Sequence, residues 1–514
     1  AGMVSEVPAA ERKAVHLMAI AALRSAYGQP LAWPEGARPA PVEDVARLGE
    51  RERAFLLQVE SMLQELLTGG LSHVSELTSA RLLALNMSAR GEGLPRVAAL
   101  LRNLGGTVDL LVRRDHRAEE RDAFALMARI HALCVALAQA EGDLAAALRG
   151  RLRRDFDESA ALDLLPLGAH WWQTRGGARG LTVAFWDLGG ARVLQATLAR
   201  PDGTDTAFTR NGAWSANALW SGAGAAERVC ETALRLEQPR LAEDDRLALG
   251  GATRAQPLPT WAADDERLRT LGCGNWSELG ERLRAATGLA SEPFDAVLLR
   301  PADTRLPVLD EAQQRLDWLV QDDAGQWLRL GIPVGPEHRQ RLDNLDRFTA
   351  RRAPVHAVLV RIERSAASTE LMPIAVLSSD AKKKLQAVSL DFANEAARTT
   401  SLANRILRMF EARQQQRNAA PMGAPMLSAR LLAPVVDVAE TQAATGRMVL
   451  TVPQRQRLHD ALDNTGSVGL DALANAIRAH LAAPAAAPLL RLGFLCQMLG
   501  ELDGLPAHKG SQAI

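Results

Sequence analysis

Leu181-Thr-Val-Ala-Phe-Trp-Asp-Leu188, then Gly189-Gly190, then residues 193–199, is the stretch on which the fold turns. Two β-prone runs joined by a glycine pair predict a tight hairpin. Leu181, Val183 and Phe185 alternate with Thr182, Ala184 and Trp186. Apolar bulk on both faces places this strand inside a sheet. The same β character runs from Trp171 to Leu377. A turn at Arg200-Pro201-Asp202-Gly203 leads to the next strand. Two more hairpins are predicted: 316–321 with 326–332 around Asp322-Asp323-Ala324-Gly325, and 355–363 with 371–377 around residues 365–369. Helices interrupt near 276–286 and 336–348, with Pro336 suited to a first helical position.

On either side the period becomes helical. Residues 9–27 form a helix that stops at Gly28, and Pro30, Pro34, Pro39 and Pro41 mark an extended connector. Phe55, Leu56, Val59, Met62, Leu63 and Leu66 recur at helical steps, and Gly69-Gly70 ends that helix. Leu94, Val97, Ala98, Leu101 and Leu104 repeat the pattern up to a stop at Gly105-Gly106. This implies a bundle or a helical repeat. Beyond Ser378, residues 389–417 read as one or two helices and 418–425, with Pro421, Gly423 and Pro425, as a linker. Helices follow at 453–462, 470–481 and 489–499, and disorder is expected from Pro506. The expected fold is therefore α+β. It has a helical domain over 1–155, a mixed tryptophan-rich domain with antiparallel hairpins over 156–392, and a helical region over 393–514. Leu489, Leu490, Leu492, Phe494 and Leu495 give the tail more apolar surface than so short a unit buries alone. It should dock on the centre or on another chain.

Composition excludes several classes. Sixty basic and sixty acidic residues cancel, so attraction to nucleic acid or anionic lipid requires local patches. Cys134, Cys230, Cys273 and Cys496 show no C-x-x-C spacing, which argues against a zinc site or redox pair and for a reducing cytoplasm. The most apolar helical window, 123–140, is broken by Arg129 and His131, so no membrane span is expected. The first thirty residues lack a signal-peptide pattern, and Met3 reads as the natural start.

Candidate chemistry is sparse. His131 and Cys134 stand three apart, yet they share a face with Phe124, Met127, Val135 and Ala138 and have no further ligand nearby. A packed core face accounts for them better than a metal. Arg149, Arg151, Arg153 and Arg154 are candidate phosphate or nucleic-acid contacts. The cluster lacks interleaved aromatics and runs into Asp155, Asp157 and Glu158, as a solvated helix end does. Gly222-Ala-Gly224 lacks the third glycine of a dinucleotide loop, and phosphate-loop, nucleophile-elbow, His-Glu-x-x-His and EF-hand spacings are absent. His170 and His356 are the acid–base candidates, and a structural role is favoured for both. Trp171, Trp172, Trp186, Trp214, Trp220, Trp261, Trp276, Trp318 and Trp327 imply a tryptophan-rich core rather than a stacking platform. Asp322-Asp323 and Asp264-Asp265-Glu266 read as turns or solvated faces. No catalytic residue, cofactor or metal is assigned.

Leu66-Leu-Thr-Gly-Gly-Leu71, Leu94-Pro-Arg-Val97, Trp171-Trp172, Ala184-Phe-Trp-Asp187, Leu219-Trp-Ser-Gly222 and Asn275-Trp-Ser-Glu-Leu279 together resemble the region downstream of the zinc finger in bacterial SWIM zinc-finger family proteins. The resemblance covers residues 50–380. The family's C-x-C and C-x-H metal motif is absent, so no zinc ligand carries over. The resemblance implies a gene neighbourhood with MoxR-type AAA ATPases and von Willebrand A-domain proteins. Three readings follow. The first is a non-enzymatic interaction or scaffold protein with protein partners, an AAA ATPase among them. The second is nucleic-acid binding through Arg149 to Arg154, Arg351-Arg352 and Lys382-Lys383-Lys384, which must converge on one face. The third is an enzyme of unrecognised type using His170 or His356.

Overall fold

The computed structural model describes residues 12–29, 47–151, 155–291, 295–364, 369–392, 427–502 and 507–509. The expected connector through Pro30 to Pro41, residues 393–417 of the helix expected over 389–417, and the linker at 418–425 lie outside the described residues; that helix does not begin at 389, because Ser389 ends a strand paired with its neighbour in a sheet and residues 390–392 turn away from it.

The N-terminal block comprises α1 (Arg12–Ala26), α2 (Glu50–Gly69), α3 (Glu76–Gly91), α4 (Pro95–Val112), α5 (Glu120–Gln139) and α6 (Gly142–Arg149). Phe55, Leu56, Val59, Met62, Leu63 and Leu66 are buried on α2, as their spacing requires. Contrary to expectation, α4 does not stop at Gly105-Gly106. Gly105 lies against Leu82 and Leu83 of α3, and Gly106 against the backbone of Arg175 and Gly176. The pair marks close approach, and packing outweighs the ~1 kcal/mol that each glycine costs a helix. One described helix, Glu120–Gln139, is long and apolar enough to cross a membrane, but half of its most apolar window is buried in the bundle.

β-structure begins before Trp171, with β1 (Asp157–Glu158), β2 (Leu162–Gln173), β3 (Arg179–Asp187) and β4 (Arg192–Arg200). After α7 (Arg210–Ser215) and α8 (Ala226–Val229) come β5 (Leu234–Glu237), β6 (Arg240–Leu241), β7 (Arg246–Leu247) and β8 (Arg254–Pro257). These pair in the order β1-β6-β7-β4-β3-β2-β5-β8. Then follow α9 (Trp276–Ala285), β9 (Ala296–Leu299), β10 (Asp303–Thr304), β11 (Val308–Asp310), β12 (Arg315–Gln321), β13 (Gln326–Pro333), α10 (Arg339–Ala350), β14 (Val355–Arg364), β15 (Thr369–Ser379) and β16 (Leu385–Ser389). Pro336 precedes α10 rather than opening it, because His338 N closes a turn onto the Gly335 carbonyl. The chain finishes with α11 (Leu427–Thr445), α12 (Val452–Ser467), α13 (Asp471–Ala482), α14 (Ala486–Leu502) and β17 (Ala507–Lys509). A second sheet has the order β16-β15-β14-β9, and a third β10-β12-β13-β17 with β11 on β12. The fold is α+β.

Burial on both faces explains the continuous apolar runs. On β3, Leu181, Val183 and Phe185 face a core closed by α7 and α8, whereas Ala184 and Trp186 face the second sheet. On β14, Ala357 and Leu359 face back toward β3, while Val358, Val360 and Ile362 meet Trp276, Trp318 and Leu345.

β2 links the layers. Its register slips between Pro166 and Gly168. Gly168 has φ +121, and a Cβ there would lie 2.5 Å from the Ala375 Cβ, so only glycine suits this bulge. Beyond Leu164, β5 no longer pairs with β2. Two of the backbone donors past that point are taken up from the second sheet's end. Ala169 N donates to Ser389 Oγ at 2.9 Å, and Trp171 N to Asp391 Oδ2 at 2.8 Å. Asp391 also accepts from Arg341 Nε at 2.9 Å and Nη2 at 2.6 Å, and both side chains are almost fully buried.

The tail packs on the N-terminal bundle, a site the sequence reading did not consider. Ala486, Leu489 and Leu490 of α14 complete the core of α2 to α5, Gly493 faces the Phe124 ring, and Arg129 Nη1 holds Glu501 Oε1 at 3.1 Å. The apolar face of α5 remains open until α14 covers it. Disorder from Pro506 also fails in part: Ala507–Lys509 pairs antiparallel with residues 326–328 of β13. The centre is fastened to the bundle by Arg96 Nη1, which donates to the carbonyls of Leu289 (2.5 Å) and Ser291 (3.0 Å).

Replacing Asp391 by Ala strands the Arg341 charge and the Trp171 N–H. We expect a loss of about 3–5 kcal/mol in urea unfolding, and a smaller loss when Arg341→Met accompanies Asp391→Leu. A loss below about 1 kcal/mol for Asp391→Ala would show that the junction does not hold the sheets.

Candidate functional site

Of the proposed cationic cluster, Arg149 and Arg151 are engaged by their own chain. Arg149 donates from Nη2 to the Arg47 carbonyl (2.8 Å) and to Glu52 Oε2 (3.0 Å), which ties α6 to the start of α2. Arg151 pairs with Glu243 at 2.6 Å. Arg153 and Arg154 lie outside the described residues.

Arg351, Arg352, Lys382, Lys383 and Lys384 do share a place. Val355 at the start of β14 pairs with Ser378 near the end of β15, and Ser378 Oγ donates to the Pro354 carbonyl at 2.7 Å. The α10-to-β14 turn and the β15-to-β16 turn therefore sit at the same sheet end, with all five cations exposed. Asp380 Oδ1 shapes the lysine turn by accepting from Lys382 N and Lys384 N. Ala263 N donates to the Lys383 carbonyl, which brings Asp264, Asp265 and Glu266 beside the lysines. Those carboxylates, with Asp380, dilute the local field. Arg267 is held by Asp265 at 2.6 Å and lies 3.8 Å over the Trp261 ring.

Among the described residues neither acid–base candidate, His170 or His356, has a carboxylate partner. His170 is buried on β2 with Nδ1 unpartnered, and burial, then Arg361, Arg341 and Arg246, hold its pKa well below the usual histidine value. His356 reaches only Ser379 Oγ, at 3.4 Å, and burial lowers its pKa. A general base needs an orienting acceptor and an open approach, and these two lack the first. His131 Nδ1 meets Glu60 Oε2 at 2.7 Å, inside the bundle. Burial and Glu60 push the Cys134 thiol up, so it stays a thiol. No group of three or more potential metal ligands occurs among the described residues.

Trp186, Trp214, Trp220, Trp261, Trp276 and Trp318 are core residues, whereas Trp171, Trp172 and Trp327 are half-buried. Trp276 and Trp318 are fully buried, Trp214 stacks on Phe392 at 4.3 Å, and Trp220 Nε1 donates to the Ala248 carbonyl. Asp322 lies at the β12–β13 turn, as expected, but is buried: its carboxylate accepts from Trp276 N, Ala324 N and Gln326 N, joining the turn to α9.

Sequence reasoning missed a surface on the tail. An open cleft of about 400 Å³ lies between α11 and α12, lined by Arg430, Leu431, Pro434, Asp437, Arg457 and Asp460 among others. Arg457 Nη1 and Asp437 Oδ2 stand 2.5 Å apart across it. Pro434, inside α11, has no N–H to return to the Arg430 carbonyl. That interruption was the available signal.

Residues 53–150 match the YehQ four-helical bundle domain, and residues 295–406 match the YehQ C-terminal OB-fold domain. The first spans α2 to α6, and the second starts just before β9 and takes in β16. No curated protein matches the chain.

Buried neutral histidines make stability depend on pH. Burial holds His480 down to about 4 and lowers His338, while an unfolded histidine takes up a proton near 6.5. Their contribution, with that of His170 and His356, is full above about pH 6.5 and is lost as pH falls toward 4. Glu440, Asp245 and Asp317, raised by burial, oppose the trend at its lower end. The urea midpoint should fall between pH 7 and 5, and His480→Gln should flatten that slope. An unchanged slope in the variant would refute the assignment.

Proposed function

We propose that the chain is a non-enzymatic interaction protein. The observation that carries this reading is the cleft between α11 and α12, whose rim alternates Arg430 and Arg457 with Asp437 and Asp460. Its lining residues include no histidine, cysteine, serine or threonine. A polar rim over a short apolar floor suits a protein partner. The resemblance to proteins found beside MoxR-type AAA ATPases and von Willebrand A-domain proteins supports an accessory role in such a system. Co-elution with the host's ATPase or A-domain protein in gel filtration is the expected result. Arg430→Glu and Asp460→Arg should each weaken the complex about tenfold, since rim charges act mainly on encounter and specificity, and should leave thermal stability unchanged. Absence of a complex at micromolar concentrations, together with turnover of a substrate by the purified chain, would overturn the reading.

Nucleic-acid binding is the second reading, favoured by the meeting of Arg351, Arg352, Lys382, Lys383 and Lys384 at one sheet end. The match to an OB-fold domain is consistent with it, since that architecture also serves oligonucleotide binding. With about four phosphates neutralised, affinity for a single strand should fall about 20-fold for a threefold rise in salt. Salt-insensitive binding, or binding that survives replacement of all three lysines by Ala, removes this reading.

A further inference from the structure

We propose that the outer face of α3 is a self-association surface, pairing two copies of this chain about a two-fold axis. The inner face of α3 is committed to the bundle through Ser79, Leu82, Leu85, Asn86 and Ala89. The outer face carries Leu77, Ala80, Ala84 and Met87 at steps of three, four and three, the spacing of a helix-packing seam. Leu77 is 70% exposed and Met87 65%, and Leu83 beside them is 46% exposed. A row of apolar side chains on a stable helix, with no cover from the other described residues, marks an interaction surface.

The order of residues selects the partner. Large, small, small, large is symmetric about position 82, so an antiparallel second copy sets Ala80 against Ala84 and Leu77 against Met87. Crossing helices are closest at their crossing point and diverge on either side. Alanines at the middle and bulky residues at the ends fit that shape. Isologous contacts of this kind are the commonest route to dimers.

Charge gives an independent reason. Glu76 and Arg90 lie on the same edge of the seam, fourteen positions apart and so roughly 21 Å along the helix. The two-fold axis brings Glu76 of each copy to Arg90 of the other, making two ion pairs at the ends of the contact. Neither side chain forms a salt bridge of its own among the described residues. Arg81, on the other edge, would approach its own symmetry mate, but it is held by Glu65 at 2.8 Å. Leu83 meets Leu83 of the second copy close to the axis. This surface is separate from the cleft between α11 and α12 and from the cationic sheet end.

One helix seam is smaller than a standard interface of about 800 Å² per partner, so the dimer should be weak and concentration-dependent, on the order of micromolar or weaker. Sedimentation velocity of the full chain from about 1 to 100 μM should show a monomer passing to a dimer. Ala84→Glu, which places a charge at the crossing, should keep the chain monomeric. Glu76→Arg and Arg90→Glu should each weaken association about tenfold, and the two together should restore it. All three positions are exposed, so unchanged thermal unfolding will confirm that the variants fold. A monomer throughout the range, a dimer indifferent to Ala84→Glu, or a charge swap without rescue would overturn the proposal.

Discussion

The Asp391 carboxylate is the constraint on which the centre depends. β2 is long, and its partner β5 covers only one end of it, so donors on the outer side must find acceptors elsewhere or remain unpaired in a buried layer. Asp391 takes the Trp171 N–H and Ser389 the Ala169 N–H, while Arg341 balances the carboxylate from α10. A buried ion pair adds little net stability by itself, because desolvation opposes the attraction. Its weight here comes from position. One group satisfies a strand of the first sheet, the terminus of the second and the helix over the third.

The same logic sets the layers. With apolar residues on both faces, β3 and β14 need cover on two sides, and three sheets with α7, α9 and α10 supply it. The bulge at Gly168 lets β2 change which face it presents partway along: Leu165 and Leu167 point to the second sheet, whereas Ala169 points away. At Gly168 the backbone comes so near Ala375 that no side chain fits.

The chain uses most of its reactive-looking groups for cohesion. Arg149, Arg151, His131 and Asp322 each hold a named internal partner, and Trp276 and Trp318 fill a core. What faces outward is a charged cleft on the tail, a diluted cationic sheet end and an apolar seam on α3.

Local pattern alone determined much of this protein. The hairpins around Gly189-Gly190 and Asp322 to Gly325, the pairing of β14 with β15, the helix at Trp276 and the buried stripe of α2 were legible, because alternation and three-to-four spacing are written into neighbouring residues. Gly105-Gly106 misled for the same reason: glycine ends helices and also allows close packing, and only the presence of α3 and the Gly176 backbone decides between the two. The docking of α14 on α5, the pairing of β17 with β13, the convergence of Arg351 with Lys383 and the Arg341–Asp391 pair joined residues far apart in the chain. Such contacts leave no periodic trace, since their energy comes from burial and charge compensation that exist only once distant segments have been brought together.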